Sequence, residues 1–197
     1  MPVNIPNTLT MLRLILSPLF LIIYINMDSI GLTLSCSAYI LLVILLLAEL
    51  TDFLDGYLAR RYQLVTDFGK IFDPMADSVI RLGVFLAFTQ GIVQLPLLPT
   101  FLVFYRESLI SSLRTVCALR GYALAARPSG KAKAVTQAIV SIVIVIMMIL
   151  VTKSTITITT LQVVSYYSIW LCATISWVTG IEYLYVNRKD VSKLLKV

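Results

Sequence analysis

Long apolar runs alternate with short polar breaks along the chain, and six runs are long enough to be read as helices: about 10–27, 32–58, 73–93, 96–120, 133–152 and 157–186. The breaks carry turn chemistry at Asn26 to Gly31, around Gly69, from Gln94 to Pro99, from Arg127 to Gly130, and across the Thr/Ser-rich stretch 152–160. A run of roughly 20 apolar residues crosses a hydrocarbon layer about 30 Å thick. The second, fourth and sixth runs exceed one span, so those helices tilt or project into water, and the charges at their ends fit projection. No soluble domain interrupts the series. The pattern predicts a single all-α, polytopic membrane domain over 1–197 with six transmembrane helices.

Composition agrees and excludes the soluble classes. The chain is 59% hydrophobic and 13% charged, with a mean hydropathy of +0.92, whereas soluble proteins average about 25% charged. The basic residues then orient the spans. Arg13, the group Arg60, Arg61 and Lys70, the group Arg114, Arg120, Arg127, Lys131 and Lys133, and finally Arg188, Lys189, Lys193 and Lys196 all fall on one side if the helices alternate. The other side carries Asp28, an uncharged 94–99 loop and Lys153, so the positive-inside rule predicts cytoplasmic termini. The net charge of +6 is mainly topological on this reading, with attraction to anionic headgroups added.

The first apolar run lacks a basic region before Arg13 and a small-residue cleavage site after it, so it is expected to be retained rather than cleaved. Its start, from Asn4 to Leu14, is an amphipathic lead-in with Asn7 or Thr8 as N-cap. Cys36, Cys117 and Cys172 are widely spaced in apolar segments and are expected to be small buried hydrophobes rather than a disulfide framework. The chain has no histidine, which removes His-ligated metals, His general bases and the Ser/His/Asp triad together. No Walker loop, dinucleotide fingerprint or internal repeat is present. Acid/base or metal chemistry must therefore use carboxylates.

The carboxylates are concentrated in one segment. Asp52 and Asp55 stand at i and i+3 near the end of the second helix, and Gly56 and Ala59 continue their face. Asp73 and Asp77 stand at i and i+4 at the expected start of the third, where Asp73 would cap it and Pro74 suits the first turn. Two antiparallel helices joined by a tight link thus aim four carboxylates at one point. Acids so close repel unless cations lie among them. Oxygen ligands without imidazole or thiolate point to Mg²⁺ or Mn²⁺, and shared carboxylates suit a two-metal site that clamps a phosphoryl group. Gly56 and Ala59 would let a nucleotide approach the backbone, although small residues serve helix packing equally well. Arg60 pairs with phosphate or snorkels to the interface.

The spacing Asp52-x2-Asp55-Gly56-x2-Ala59-Arg60-x8-Gly69-x3-Asp73-x3-Asp77 resembles the signature of the CDP-alcohol phosphotransferase family. At about 7% frequency per specified residue, such a match arises by chance on the order of once in 10⁹ starting positions. The resemblance implies a six-helix membrane fold, usually dimeric, that transfers a phosphoalcohol from a CDP-linked donor to a hydroxyl acceptor and releases CMP. It further implies that Asp52, Asp55, Asp73 and Asp77 hold two divalent ions and that Asp77 is the general base. Asp55, Gly56, Ala59, Arg60, Gly69 and, more weakly, Thr66 would hold the cytidine diphosphate.

Acceptor identity lies outside this motif. The stretches from Tyr105 to Arg114 and from Gly130 to Gln137, and the opening Asn4 to Thr10, are similar to the phosphatidylglycerophosphate synthase branch, which implies CDP-diacylglycerol as donor and glycerol 3-phosphate as acceptor. Arg106, Arg114, Lys131 and Lys133 form the expected cradle for the acceptor phosphate, with the positive-inside bias as the competing explanation. Ser78 stands where that branch often has Lys, and Ala134 where it often has Thr. Transfer to inositol or inositol phosphate is consequently the second reading, with Arg106 and Glu107 pairing with each other. A small ion transporter, with Glu49 extending an acidic path, is the reading from another class. It is disfavoured because the acids cluster at one end and paired broken helices are absent. Glu49 itself is most simply a buried acid bonded to a neighbouring helix. Trp170, Trp177, Tyr183 and Tyr185 fit an interfacial belt or a dimer contact. The short chain suggests a bacterial cytoplasmic membrane.

Overall fold

The computed structural model describes residues 5–61, 67–119, 128–188 and 191. Its elements are α1 (Ile5–Asn26), α2 (Leu34–Arg61), α3 (Asp67–Phe88), α4 (Leu97–Leu119), α5 (Pro128–Thr152) and α6 (Ile158–Val186). The order matches the apolar runs, but three helices begin earlier than the pattern predicts. In α1 and α5, Pro6 and Pro128 lie in the first turn, where a missing N–H is tolerated. The helix therefore takes in polar residues that the hydropathy of the run leaves out. In α3 the backbone is helical from Asp67, so Pro74 lies beyond the first turn and Asp73 within the helix rather than at its cap. At the other end α3 stops at Phe88, five residues before the expected end at 93, and Thr89 to Val93 form a turn.

Four helical segments among the described residues are long and apolar enough to cross a membrane on their own: Thr8–Asn26, Leu34–Asp55, Gly130–Thr152 and Ile158–Val186. The chain is an integral membrane protein. Acidic and basic positions occur together on three helices: Glu49, Asp52 and Asp55 with Arg60 and Arg61 on α2, Asp73, Asp77 and Arg81 on α3, and Arg106, Glu107 and Arg114 on α4. Large apolar side chains such as Ile15, Phe53, Leu97 and Tyr167 face outward, as a hydrocarbon solvent permits.

α1 packs on both α2 and α3, and the described parts of those two helices meet chiefly through it; α5 bridges α2 and α6, and α6 carries α4. One stripe of α1 makes the contact, because Arg13, Ser17, Phe20 and Tyr24 recur at helical spacing and all are buried. Ser17 donates to the Val79 carbonyl at 3.1 Å and lies where a Cβ on Gly83 would have to go, so glycine is what lets the two backbones approach. Phe20 and Tyr24 meet Phe88 edge-on at 5.6 and 5.4 Å.

The far end is closed by hydrogen bonds. The Tyr24 hydroxyl donates to the Gln90 carbonyl at 2.9 Å and accepts from Val93 N at 3.4 Å. Gln162 on α6 donates to the Ile92 carbonyl of the same turn at 3.1 Å. Thr157 caps α6, its hydroxyl accepting from Thr160 N at 3.2 Å. Trp177 donates to the Leu102 carbonyl at 3.2 Å and stacks on Tyr105, which makes it a tie between α6 and α4 within one chain. Of the cysteines, Cys117 and Cys172 are buried as expected, whereas Cys36 is exposed on α2.

The 89–93 turn has a glycine requirement that can be tested. Gly91 has φ +63°, and an added Cβ would lie 3.0 Å from the Tyr24 hydroxyl. Gly91→Val places a β-branched side chain in the left-handed region against a packed ring, at a cost of about 1–3 kcal/mol. Thermal unfolding in detergent should show a melting midpoint lowered by several degrees; a midpoint equal to wild type would show that the turn tolerates the side chain.

Candidate active site

The carboxylates of the acidic segment are gathered by a cation from another helix. Arg13 on α1 is fully buried. Its NH1 donates to Asp52 Oδ1 at 2.7 Å and to Asp77 Oδ1, and its NH2 donates to Asp55 Oδ2. A buried guanidinium is costly unless its donors are matched, and three carboxylates supply the match. Its Nε has no partner among the described residues. Exposure differs across the set: the Asp55 side chain is 6% exposed, Asp77 25% and Asp52 36%, so the site opens on the Asp52 side.

A second cation borders the cluster. Arg81, one turn beyond Asp77 on α3, places NH2 3.7 Å from Asp52 Oδ2 and Nε 4.0 Å from Glu49 Oε1. Glu49 thus faces a neighbouring helix as expected, but it is half-buried rather than buried and stands at ion-pair distance from Arg81 rather than bonded to it. Arg81 was overlooked, and Arg13 was read only as a marker of orientation. The signal for Arg81 was its i+4 spacing from Asp77, facing a Glu at i−3 from Asp52. For Arg13, the signal was a charge on the face that Ser17 and Phe20 continue.

The remaining expected donor-site residues have less to show. Gly56, Ala59 and Arg60 lie on α2, and Gly69 and Asp73 on α3, by backbone; their side chains lie outside the described residues. Thr66 lies outside the described residues altogether. Among the described residues no three acids stand in a coordination arrangement, because the guanidinium lies between the carboxylates. The chemistry of the donor set nevertheless fits a hard divalent cation. Its ligands are all carboxylate oxygens, and they already converge on a positive charge.

The four residues expected to cradle an acceptor phosphate divide differently. Glu107 on α4 accepts from Arg106 NH1 at 3.3 Å, from Gln137 Nε2 at 3.4 Å, and from Lys133 Nζ, so one buried acid holds two of the four cations. Arg106 is fixed further by α6, its Nε donating to the Ser176 carbonyl at 2.9 Å and its NH2 to Thr179 Oγ1 at 3.3 Å. Gly180 makes the room, since a Cβ there would lie 2.9 Å from Arg106 Nε. Gln137 also donates to Ser176 Oγ at 3.2 Å, closing the network across α4, α5 and α6.

Arg114 donates from Nε to the Tyr183 hydroxyl at 3.3 Å, with its Cζ 5.0 Å from that ring's centre. Its NH2 would be 4.0 Å from a Cβ on Gly130, which puts it beside the start of α5. Lys131, on the first turns of α5, is exposed. Tyr183 is therefore an internal contact of this chain, and its burial follows from its partner on α4.

Comparison with known proteins agrees with this arrangement. The model of the CDP-alcohol phosphatidyltransferase family matches residues 3–184. A protein of Rickettsia felis named CDP-diacylglycerol–glycerol-3-phosphate 3-phosphatidyltransferase is 31% identical over 186 residues, 94% of this chain and 96% of its own length. Proteins of the same name from Rickettsia bellii and Bacillus subtilis are 30% and 34% identical, covering 94% and 69% of this chain and 96% and 73% of their own. The family match covers all six helices but the end of the last, and the chain belongs to the CDP-alcohol phosphatidyltransferases.

Proposed function

We propose that this protein transfers the phosphatidyl group of CDP-diacylglycerol to glycerol 3-phosphate, giving phosphatidylglycerophosphate and CMP. The observation that carries the reading is the convergence of Asp52, Asp55 and Asp77 on one point, in a chain whose family match runs from residue 3 to 184. The relatives named for this reaction support the choice of donor and acceptor. The unit is one domain over 1–197 whose six helices all cross the membrane, with both termini and the site in the cytoplasm of a bacterial cell, and it works as a homodimer. α3 and α4, the less apolar pair, cross packed on their neighbours, α3 on α1 and α4 on α6.

Asp52, Asp55, Asp73 and Asp77 hold two Mg²⁺ or Mn²⁺ ions, which when bound neutralise the donor pyrophosphate and stabilise charge on departing CMP. Asp55, Gly56, Ala59, Arg60, Thr66 and Gly69 hold the cytidine diphosphate. Asp77 takes the proton of the acceptor hydroxyl as its oxygen attacks the lipid-side phosphorus, and the bond to the CMP oxygen breaks with the electron pair leaving on CMP. Arg106, Arg114, Lys131 and Lys133 receive the acceptor phosphate. Glu107 offsets only one of those four charges, so a surplus remains for a dianion.

Asp77→Asn should lower CMP release by at least a hundredfold while leaving CDP-diacylglycerol binding intact, measured by turnover and by equilibrium binding in detergent. Wild-type turnover in that variant would remove Asp77 as the base. EDTA should abolish CMP release and Mg²⁺ or Mn²⁺ restore it; activity that survives chelation would remove the metal ions from the reading. Among glycerol 3-phosphate, inositol, inositol phosphate and serine offered with CDP-diacylglycerol, glycerol 3-phosphate should release CMP fastest. A preference for inositol or its phosphate would reassign the acceptor.

A further inference from the structure

Arg81 is a second guanidinium at the carboxylate cluster, and it is held much more loosely than Arg13. Its side chain is 15% exposed, yet its nearest acids stand at 3.7 and 4.0 Å, beyond hydrogen-bond reach. Its Nε is buried and has no hydrogen-bond partner among the described residues. Unspent charged donors in a site with little water are expensive, and a native fold keeps them where a ligand completes them.

The position selects the ligand. Glu49 precedes Asp52 by three residues on α2, and Arg81 follows Asp77 by four on α3, whose direction in the proposed topology is opposite. Both therefore lie one turn further from the α2–α3 link than the carboxylates, on the bilayer side of them. An amphiphilic donor bound there has its nucleotide toward the link and its acyl chains toward the lipid. The part of it level with Arg81 is the phosphate that carries diacylglycerol. A planar fork of N–H donors matches two phosphate oxygens, whereas the neutral ester carbonyls beyond offer no charge to offset the guanidinium.

We propose that Arg81 is a ligand of the donor's lipid-side phosphate and that Glu49 is the positioning residue that aims it. The assignment rests on the phosphatidyltransferase reading above and adds to it a residue outside the acidic motif. It separates the two halves of the donor: Arg81 addresses the phosphate that CMP lacks.

The test uses the full-length protein in detergent, with CMP binding followed by calorimetry and CDP-diacylglycerol use followed by CMP release. Arg81→Gln should leave CMP affinity within about twofold of wild type and raise the KM for CDP-diacylglycerol on the order of 10- to 100-fold, the loss of one or two charge-assisted bonds. Arg81→Lys, which keeps the charge and loses the fork, should recover part of that rise at an unchanged melting midpoint. Glu49→Gln should raise the KM less than Arg81→Gln does. An unchanged KM and kcat in Arg81→Gln, or an equal loss of CMP and CDP-diacylglycerol affinity, would overturn the assignment while wild-type turnover stands. A wild-type protein that releases no CMP from CDP-diacylglycerol with any acceptor would instead overturn the underlying reading and this assignment with it.

Discussion

Three carboxylates from two helices can share a small volume only if a positive charge is placed among them, and here that charge is Arg13. Two like charges about 4 Å apart repel by about 4 kcal/mol at an effective dielectric of 20, and three acids have three such pairs. The guanidinium offsets this repulsion from within, which requires α1 to run between α2 and α3. The rest of the α1 seam serves the same placement. Ser17 against Gly83 brings α1 and α3 close, and Phe20 and Tyr24 fill the seam as far as the 89–93 turn. The acidic motif thus depends on a helix that contains none of its residues.

That dependence marks the boundary of what the sequence made legible. Apolar runs give the number and order of helices because the bilayer demands a long uncharged stretch for each crossing, and that demand is local. Spacing placed Asp52 with Asp55 and Asp73 with Asp77 because helical periodicity is local too. The partner of Asp52 lies 39 residues away at Arg13, and no periodicity reports a contact of that range. Arg13 also lies where topology alone would put a basic residue, so its second role was hidden behind the first. Arg106 and Lys133 are a similar case: Lys133 lies 26 residues beyond Glu107, so periodicity does not report the acid that the two cations share. Helix starts are a different case: Pro74 suits a first turn by propensity, yet α3 is helical from Asp67 and carries it deeper.

The two polar clusters follow opposite rules, and the difference gives each its chemistry. Around Arg13 one cation gathers three acids and leaves negative charge in surplus; around Glu107 one acid gathers two cations and leaves positive charge in surplus. A surplus of either sign in a low-dielectric interior is stable only while an opposite charge is available to it. On the proposed function, metal ions answer the acidic surplus on α2 and α3, and an anion answers the basic surplus on α4 and α5. α5, which carries Lys133 and Gln137, packs on α2 and α3 as well as on α6, so one helix joins the two clusters. On the proposed function, an acceptor that carries its own phosphate matches the basic cluster in charge. The uncharged acceptor inositol would leave the positive surplus on α4 and α5 unmatched. The charge balance of the Glu107 network therefore favours a phosphorylated acceptor independently of the acidic motif, which carries no information about the acceptor.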